Sequence, residues 1–375
     1  MLMKFTVSNY AGFKDEFEFD LTSKKRYAYN QDMVKNKIVQ KSLIYGPNGS
    51  GKSSLCMAIM DITFHVVDKE KLFLPPDSYF YVGNNKNSSK FTYTFCFDKK
   101  IIKYEYVKST PTTLIYEKIY IDDVLMLEYN FFDDSHYVNQ FNDIKTLNIK
   151  GLPPHISVIK FIYNNSILDK KSIFSKIVDY VSRMLFFKSL TNGNQYIGYS
   201  TGSSSLSSII IKNKKTEDFK KFLASQDLNY DIVEYTEPNG TPNLGIRFEN
   251  NRIVPLGSII SSGTKTIWLF YCWMLEFQNL SLLIIDEFDA YYHYKTAQSI
   301  LKIINSYKNM QSIITTHNIT LMNNSITRPD CCFVIENNKI NPLSSLTNKE
   351  IRQNNNLQKM FIDGEFSNCL EVNDH

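Results

Sequence analysis

The sequence predicts an α/β fold: a parallel sheet whose strand ends carry the polar residues, with an inserted antiparallel β lobe and a helical lobe. Three observations lead there. A glycine-rich turn, Gly46-Pro47-Asn48-Gly49-Ser50-Gly51, separates a short apolar run from an amphipathic stretch. Two later apolar runs, residues 282–285 and 312–315, end in acidic or polar residues. Between the turn and those runs, residues 91–129 alternate apolar and polar positions in several short pieces, the period of half-buried strands.

Taken in order, the opening KFTVSNYAGFKDEFEFDL alternates around Gly12 and predicts a β-hairpin. Lys41-Ser42-Leu43-Ile44-Tyr45 predicts a buried strand. A helix is predicted over 53–66, with Leu55, Ile59, Ile62 and Val66 on one face. The runs TYTFCF, IIKYEYV, LIYEKIYID and VLMLEY then predict an antiparallel insertion within 67–150. From 156 to 190 the spacing turns helical, with Ile167, Ile173, Ile177, Tyr180 and Met184 on one face, so a mainly helical, basic insertion is assigned to 151–256. Residues 193–208, rich in Gly, Ser and Asn, read as a loop or hinge, and 216–223 as a short helix. Residues 257–344 return to the core with a helix over 264–277 and strands at 282–285, 312–315 and 331–336. The tail, 345–375, carries Leu357, Met360 and Phe361 at helical spacing. Neither internal repeats nor long heptad arrays are visible.

Composition bounds the function. With 375 residues and 43% hydrophobic content the chain can bury a large core, which fits one domain with insertions. The longest apolar stretches, such as 267–275, are too short and interrupted to span a bilayer, and no opening segment resembles a signal peptide, so a cytoplasmic protein with no membrane partner is expected. Cys56, Cys96, Cys272, Cys331, Cys332 and Cys369 form no CxxC pairs, so reduced thiols and no structural metal are expected. Net charge is only +4, but residues 145–221 hold 13 Lys and Arg against four acids. Such a run is either a solvated face or a surface for an anionic partner such as nucleic acid, and both readings stay open.

The chemistry concentrates in four places. Gly46 to Ser53 completes GxxxxGK(S/T), whose fixed positions match by chance in roughly one or two chains of this length per hundred. Bare amides of the turn can close on an anion, and Lys52 and Ser53 open the helix that points at it. An apolar strand ending in Asp286-Glu287 delivers carboxylates to the sheet edge where ligands of open α/β sheets sit. Asp286 can then hold Mg²⁺ together with the Ser53 hydroxyl, leaving Glu287 to orient or deprotonate water. Thr316-His317-Asn318 ends the next strand, placing an imidazole where it can meet a terminal phosphate and the attacking water, unless it is a structural histidine. Ser261-Ser262-Gly263 precedes an apolar helix, either a second anion-receiving helix end or an ordinary cap.

GPNGSGKSS from Gly46, ISSGT from Ile260, LLIIDEFDA from Leu282 and TTHN from Thr315 have the order and spacing of ABC-like ATPases. The chain resembles the prokaryotic RecF, SMC and OLD-type branch of AAA-family ATPases, and more closely the compact ATPases of anti-phage systems. The resemblance implies a P-loop NTPase with an ABC-ATPase-like head, and ATP and Mg²⁺ as cofactors. Asn48, Gly49, Ser50, Gly51, Lys52, Ser53 and Ser54 would contact the nucleotide. Asp286 would be the Walker B acid, Glu287 the catalytic carboxylate and His317 the switch histidine. Ser262 and Gly263 would contact the γ-phosphate held by a second subunit, giving a homodimer or higher homo-oligomer. Phe13 and Lys14 fall in the part of the pattern near the nucleotide base. The signature reads SSGT rather than LSGGQ. The expected role is an ATP-dependent switch acting on a separate effector, a nuclease or toxin. A RecF-like DNA-binding repair ATPase is the alternative; a transporter's ATP-binding subunit fits the hairpin start and the SSGT signature less well.

Overall fold

Strand Lys41–Tyr45 is buried along its whole length because it lies inside a sheet covered on both faces. The computed structural model describes residues 1–67, 76–84, 86–133, 137–145, 147–188, 197–198 and 205–366, and it places this strand between Gln311–Thr316 and Cys332–Glu336. Leu282–Asp286 and then Met184–Lys188 continue the sheet beyond Gln311–Thr316, all five running parallel. Short antiparallel strands, Ile197–Gly198 and Lys339–Pro342, form its edges. Because side chains alternate along a strand, Ile44, Ile284, Ile313 and Phe333 enter one core, and Leu43, Tyr45, Ile285 and Ile314 the other.

The first core is closed by a second seven-stranded sheet, antiparallel, in the order Tyr137–Asn139, Val124–Asn130, Thr113–Ile121, Lys100–Thr110, Ser89–Phe97, Leu2–Ser8, Phe17–Asp20. The opening hairpin forms as its alternation predicts, with Lys4 opposite Asp20 and Val7 opposite Phe17. Its first strand also pairs with Ser89–Phe97, so the hairpin and the strands that follow the phosphate-loop helix make one continuous sheet. That helix lies between the sheets: Leu55, Cys56 and Ile59 share the core with both, and Tyr93 donates from its hydroxyl to the Ala58 carbonyl at 2.9 Å.

Two buried polar contacts tie the layers together. The predicted helix is interrupted at Asp61, giving Lys52–Met60 and Ile62–Val66. Asp61 accepts from Tyr79 at 2.8 Å and Tyr106 at 2.7 Å, and pairs with Lys108 at 2.6 Å where both side chains are 1% exposed. A buried pair of this kind contributes little net stability, but removal of one partner costs ~3–5 kcal/mol, so it fixes the helix end on the antiparallel sheet. The Gln311 amide accepts from the Leu2 amide at 3.0 Å and donates to the Leu2 and Val39 carbonyls at 2.8 and 3.0 Å, joining the two sheets at the other end.

The region 151–256 departs from the helical reading. Val158–Asn165 and Ile173–Ser182 are helices, and Ile173, Ile177 and Tyr180 pack into the first core. Ile167 instead lies fully exposed between them. Met184 begins a strand, Met184–Lys188, that pairs with Leu282–Asp286. Four successive buried apolar side chains, Met184 to Phe187, suit a strand covered on both faces, whereas a helix buries only one stripe. Most of the expected hinge at 193–208 lies outside the described residues, and its end opens a helix, Leu206–Lys212. Helix Thr216–Ala224 is followed by a three-stranded antiparallel sheet, Ile232–Thr236, Pro242–Arg247 and Ile253–Pro255. The tail helix, Leu357–Ile362, buries Leu357 and Met360 in the second core.

Lys41 yields a pH test of this core. Its ammonium is buried beneath the strand and donates to the Tyr307 and Met310 carbonyls at 2.8 and 2.5 Å. Burial pushes its pKa from 10.5 down to about 7. Between about 7 and 10.5 the folded state therefore binds fewer protons than the unfolded chain, so the penalty of burying the charge is full below this window and fades as pH rises through it. Urea unfolding of wild type and Lys41→Met should diverge from pH 7 to pH 10, wild type gaining relative to the variant by up to about 1.4 kcal/mol per pH unit. A constant offset across that range would show that Lys41 does not titrate there.

Candidate active site

Parallel pairing brings the C-terminal ends of the strands to one edge, and the chemistry collects there. Tyr45 runs into the glycine turn, Asp286 into Glu287, Thr316 into His317, and Glu336 into Asn337. Gly51 caps the helix in the left-handed region at φ +100°, and a Cβ there would approach the Phe13 ring to 3.0 Å. Glycine is what that crossing admits.

The acid strand is not adjacent to the loop strand; Gln311–Thr316 lies between them. The gap is bridged by hydrogen bonds. Ser53 Oγ donates to Asp286 Oδ2 at 2.7 Å and Thr315 Oγ1 to Asp286 Oδ1 at 2.6 Å. The Thr315 hydroxyl also accepts from the Glu287 amide at 2.9 Å. Glu287 itself sits at φ +52°, a left-handed conformation that costs a non-glycine residue roughly 1–2 kcal/mol and that clusters at functional positions. Lys52 is buried, its ammonium donating to the Gly46 and Pro47 carbonyls at 2.7 and 2.8 Å. Burial lowers its pKa, opposed by the carboxylates of Asp286 and Glu287.

These residues enclose a cleft of about 570 Å³. Asn48, Gly49, Ser50, Gly51, Lys52, Ser53, Ser54, Glu287 and His317 all line it, with Asp286 buried behind Ser53. Ser262 and Gly263 do not line it. They open helix Ser262–Met274, where the Ser261 hydroxyl caps Thr264 N at 3.2 Å, Ser262 is exposed, and a Cβ at Gly263 would fall 2.8 Å from the Tyr291 carbonyl. Phe13 stacks on Phe17 in the core with ring centroids 4.2 Å apart, so Lys14, and not Phe13, is the residue of that pair that lines the cleft.

The sequence reading missed Thr315, Tyr81, Asn337 and Asn338. Thr315 was visible only as half of a Thr-Thr strand end, with nothing to say which hydroxyl would meet Asp286. Asn337 and Asn338 both have positive φ in the tight turn joining Cys332–Glu336 to Lys339–Pro342, and the Asn-Asn pair between two apolar runs was a readable hairpin signal.

The residues present fit a nucleotide with its divalent ion. Ser50 Oγ is buried without a hydrogen-bond partner inside the loop, and the Lys52 ammonium rests on the loop's own carbonyls. The Ser53 hydroxyl and Asp286 carboxylate form an all-oxygen pair of the kind that holds Mg²⁺.

Among the described residues of the basic stretch 145–221, Lys176 pairs with Asp98, Arg183 with Asp179, Lys215 with Asp218 and Lys220 with Asp231. Among the described residues no helix is long and apolar enough to cross a membrane.

Thr315→Val should destabilise the fold by about 1–3 kcal/mol in urea unfolding, because it strips both Asp286 Oδ1 and the Glu287 amide of a partner. Thr315→Ser, which keeps the hydroxyl, should stay near wild type. Equal losses in the two variants would place the effect in the methyl group and not in the bridge.

Residues 42–323 match the protein family described as "AAA domain, putative AbiEii toxin, Type IV TA system". No curated protein matches the chain. Among solved structures, an Smc head bound to the C-terminal winged-helix domain of ScpA aligns over 91% of this chain and 97% of its own, at 11% identity and a TM-score of 0.51. The SMC head domain from Thermotoga maritima aligns over 91% and 98% at 15% identity and a TM-score of 0.42. The first of these shows the P-loop head fold with its ABC-type sheet pair. With three quarters of its length matched, the chain belongs to this AbiEii-type AAA family of ABC-like ATPase domains.

Proposed function

We propose that this protein is an ATP-hydrolysing switch that closes as a homodimer around ATP and Mg²⁺ and regulates a separate effector, a nuclease or toxin, in anti-phage defence. The carrying observation is the 2.7 Å contact of Ser53 with Asp286 at the foot of a glycine loop, with Glu287 and His317 facing the same cleft. Ser53 and Asp286 would hold Mg²⁺, which supplies charge neutralisation on the phosphates. Lys52 exchanges two backbone carbonyls for phosphate oxygens, so its burial favours an anion in the site. Glu287 orients the attacking water and accepts its proton, held in place through its amide by Thr315. His317, exposed on the same cleft, is the second polar group beside that water. Catalysis on this account is positioning and electrostatics.

Support for dimerisation is the exposed start of helix Ser262–Met274, which is not part of the chain's own cleft lining and so is available to a second copy. The defence reading is supported by the family description, which names a toxin–antitoxin system. That wording also favours a second reading, in which the chain is itself the toxic component. Nucleic-acid binding through 145–221 draws support only from the charge balance of that stretch, 13 Lys and Arg against four acids.

Glu287→Gln should bind ATP as wild type does while losing turnover by about 10²–10⁴-fold, and Lys52→Ala should lose binding. Equal turnover by Glu287→Gln and wild type would remove Glu287 from the chemistry. Co-expression with its genomic neighbours separates the roles: a stoichiometric partner released by ATP supports the regulator, whereas growth arrest by this chain alone makes it the toxin.

A further inference from the structure

We propose that a second cleft, at the sheet edge opposite the glycine loop, is a binding site for a nucleotide-class ligand, a phosphate ester carrying a flat ring. The site is independent of the ATP reading. Ile38 and Arg328, which precede the N-terminal ends of strands Lys41–Tyr45 and Cys332–Glu336, lie on its wall, and its volume is about 1150 Å³, ample for a mononucleotide.

Its charge is one-sided. Lys24, Lys25, Arg26, Lys37 and Lys99 line it, and no carboxylate does. None of the five has an ion-pair partner among the described residues, although lysines elsewhere commonly do. The nearby acids are engaged away from it, Asp98 with Lys176 at 2.7 Å and Asp32 with Lys308 at 3.0 Å. Lys24 and Lys25 also border a neighbouring cleft that contains Glu16, Glu18 and Asp20, so Arg26, Lys37 and Lys99 are the cations whose field belongs to this cleft alone. Lys37 and Lys99 each occupy the second position of a tight two-residue turn, at φ +63° and +67°, and so are presented on rigid hairpin ends from different sheets.

The rest of the lining suits a ring. Met3, Ile38 and Ile101 give it an apolar wall, Ile101 being 39% exposed. Tyr27 adds an aromatic face, its ring 5.2 Å from the buried guanidinium of Arg328, which Asp330 neutralises at 2.8 and 2.6 Å. Arg328 thus stiffens Tyr27 and leaves phosphate binding to the exposed cations.

Calorimetric titration with the four ribonucleoside 5′-monophosphates, on wild type and on Lys52→Ala, tests the assignment. At least one should bind saturably to both proteins. Lys37→Gln combined with Lys99→Gln should weaken that binding by about tenfold or more, with the unfolding midpoint unchanged, and the matching nucleoside without phosphate should bind at least about tenfold more weakly. Tyr27→Leu should weaken the nucleotide but not inorganic phosphate. No saturable binding up to about 5 mM, or binding that the lysine substitutions leave unmoved, overturns the site. So does a twelve-residue oligothymidylate that displaces the mononucleotide and binds far more tightly with a steep salt dependence, which would assign the cleft to a nucleic-acid backbone.

Discussion

The arrangement depends on one carboxylate. Asp286 ends a strand that is not hydrogen-bonded to the phosphate-loop strand, yet it must reach the first residue pair of the loop's helix. It does so with Thr315, on the strand between, holding one oxygen while Ser53 takes the other. This sets the register of three strands against the helix start. A slip of one residue in Gln311–Thr316 would turn Thr315 to the opposite face of the sheet and leave Asp286 Oδ1 buried without this partner. The same hydroxyl accepts from the Glu287 amide, so the Asp286 carboxylate and the Glu287 backbone meet at a single side chain.

The site is also coupled mechanically to the antiparallel sheet. The phosphate-loop helix ends at Asp61, whose carboxylate is gripped by Tyr79, Tyr106 and Lys108 in a setting with almost no solvent. A displacement at the Lys52 end of a nine-residue helix reaches Asp61 through a rigid element, and a buried ion pair resists being opened gradually. On the proposed function, motion that begins at the phosphate loop would carry the sheet with the helix, and that sheet includes the opening strand Leu2–Ser8.

Much of the site was legible because its chemistry sits at strand ends, where a short apolar run followed by Gly-rich, acidic or polar residues can be read locally. Lys52, Ser53, Asp286, Glu287 and His317 come together around the cleft as their spacing implies. What stayed illegible was non-local. Strand Met184–Lys188 follows a helix with the same apolar density, and only its pairing with Leu282–Asp286 distinguishes it from another turn of that helix. The sheet over 232–255 was hidden by short strands with mixed faces, such as Ile232–Thr236, which buries only its first residue fully. Phe13 lay in the right place in sequence for the nucleotide but is consumed by the core beneath Gly51. Thr315 shows the limit most clearly: its role depends on which strand lies between two others, and sheet order cannot be read from a single strand.

The absence of Ser262 and Gly263 from the chain's own cleft lining gives the account its sharpest exposure, since the helix start that Ser261 caps meets a nucleotide on this reading only across a subunit interface. Sedimentation of Glu287→Gln with and without ATP and Mg²⁺, alongside the same protein carrying Ser262→Arg, measures this directly. The account predicts a monomer without nucleotide, a dimer with it, and loss of the dimer on Ser262→Arg while ATP binding persists. A mass that ignores ATP, or a nucleotide-dependent dimer indifferent to Ser262, would contradict it.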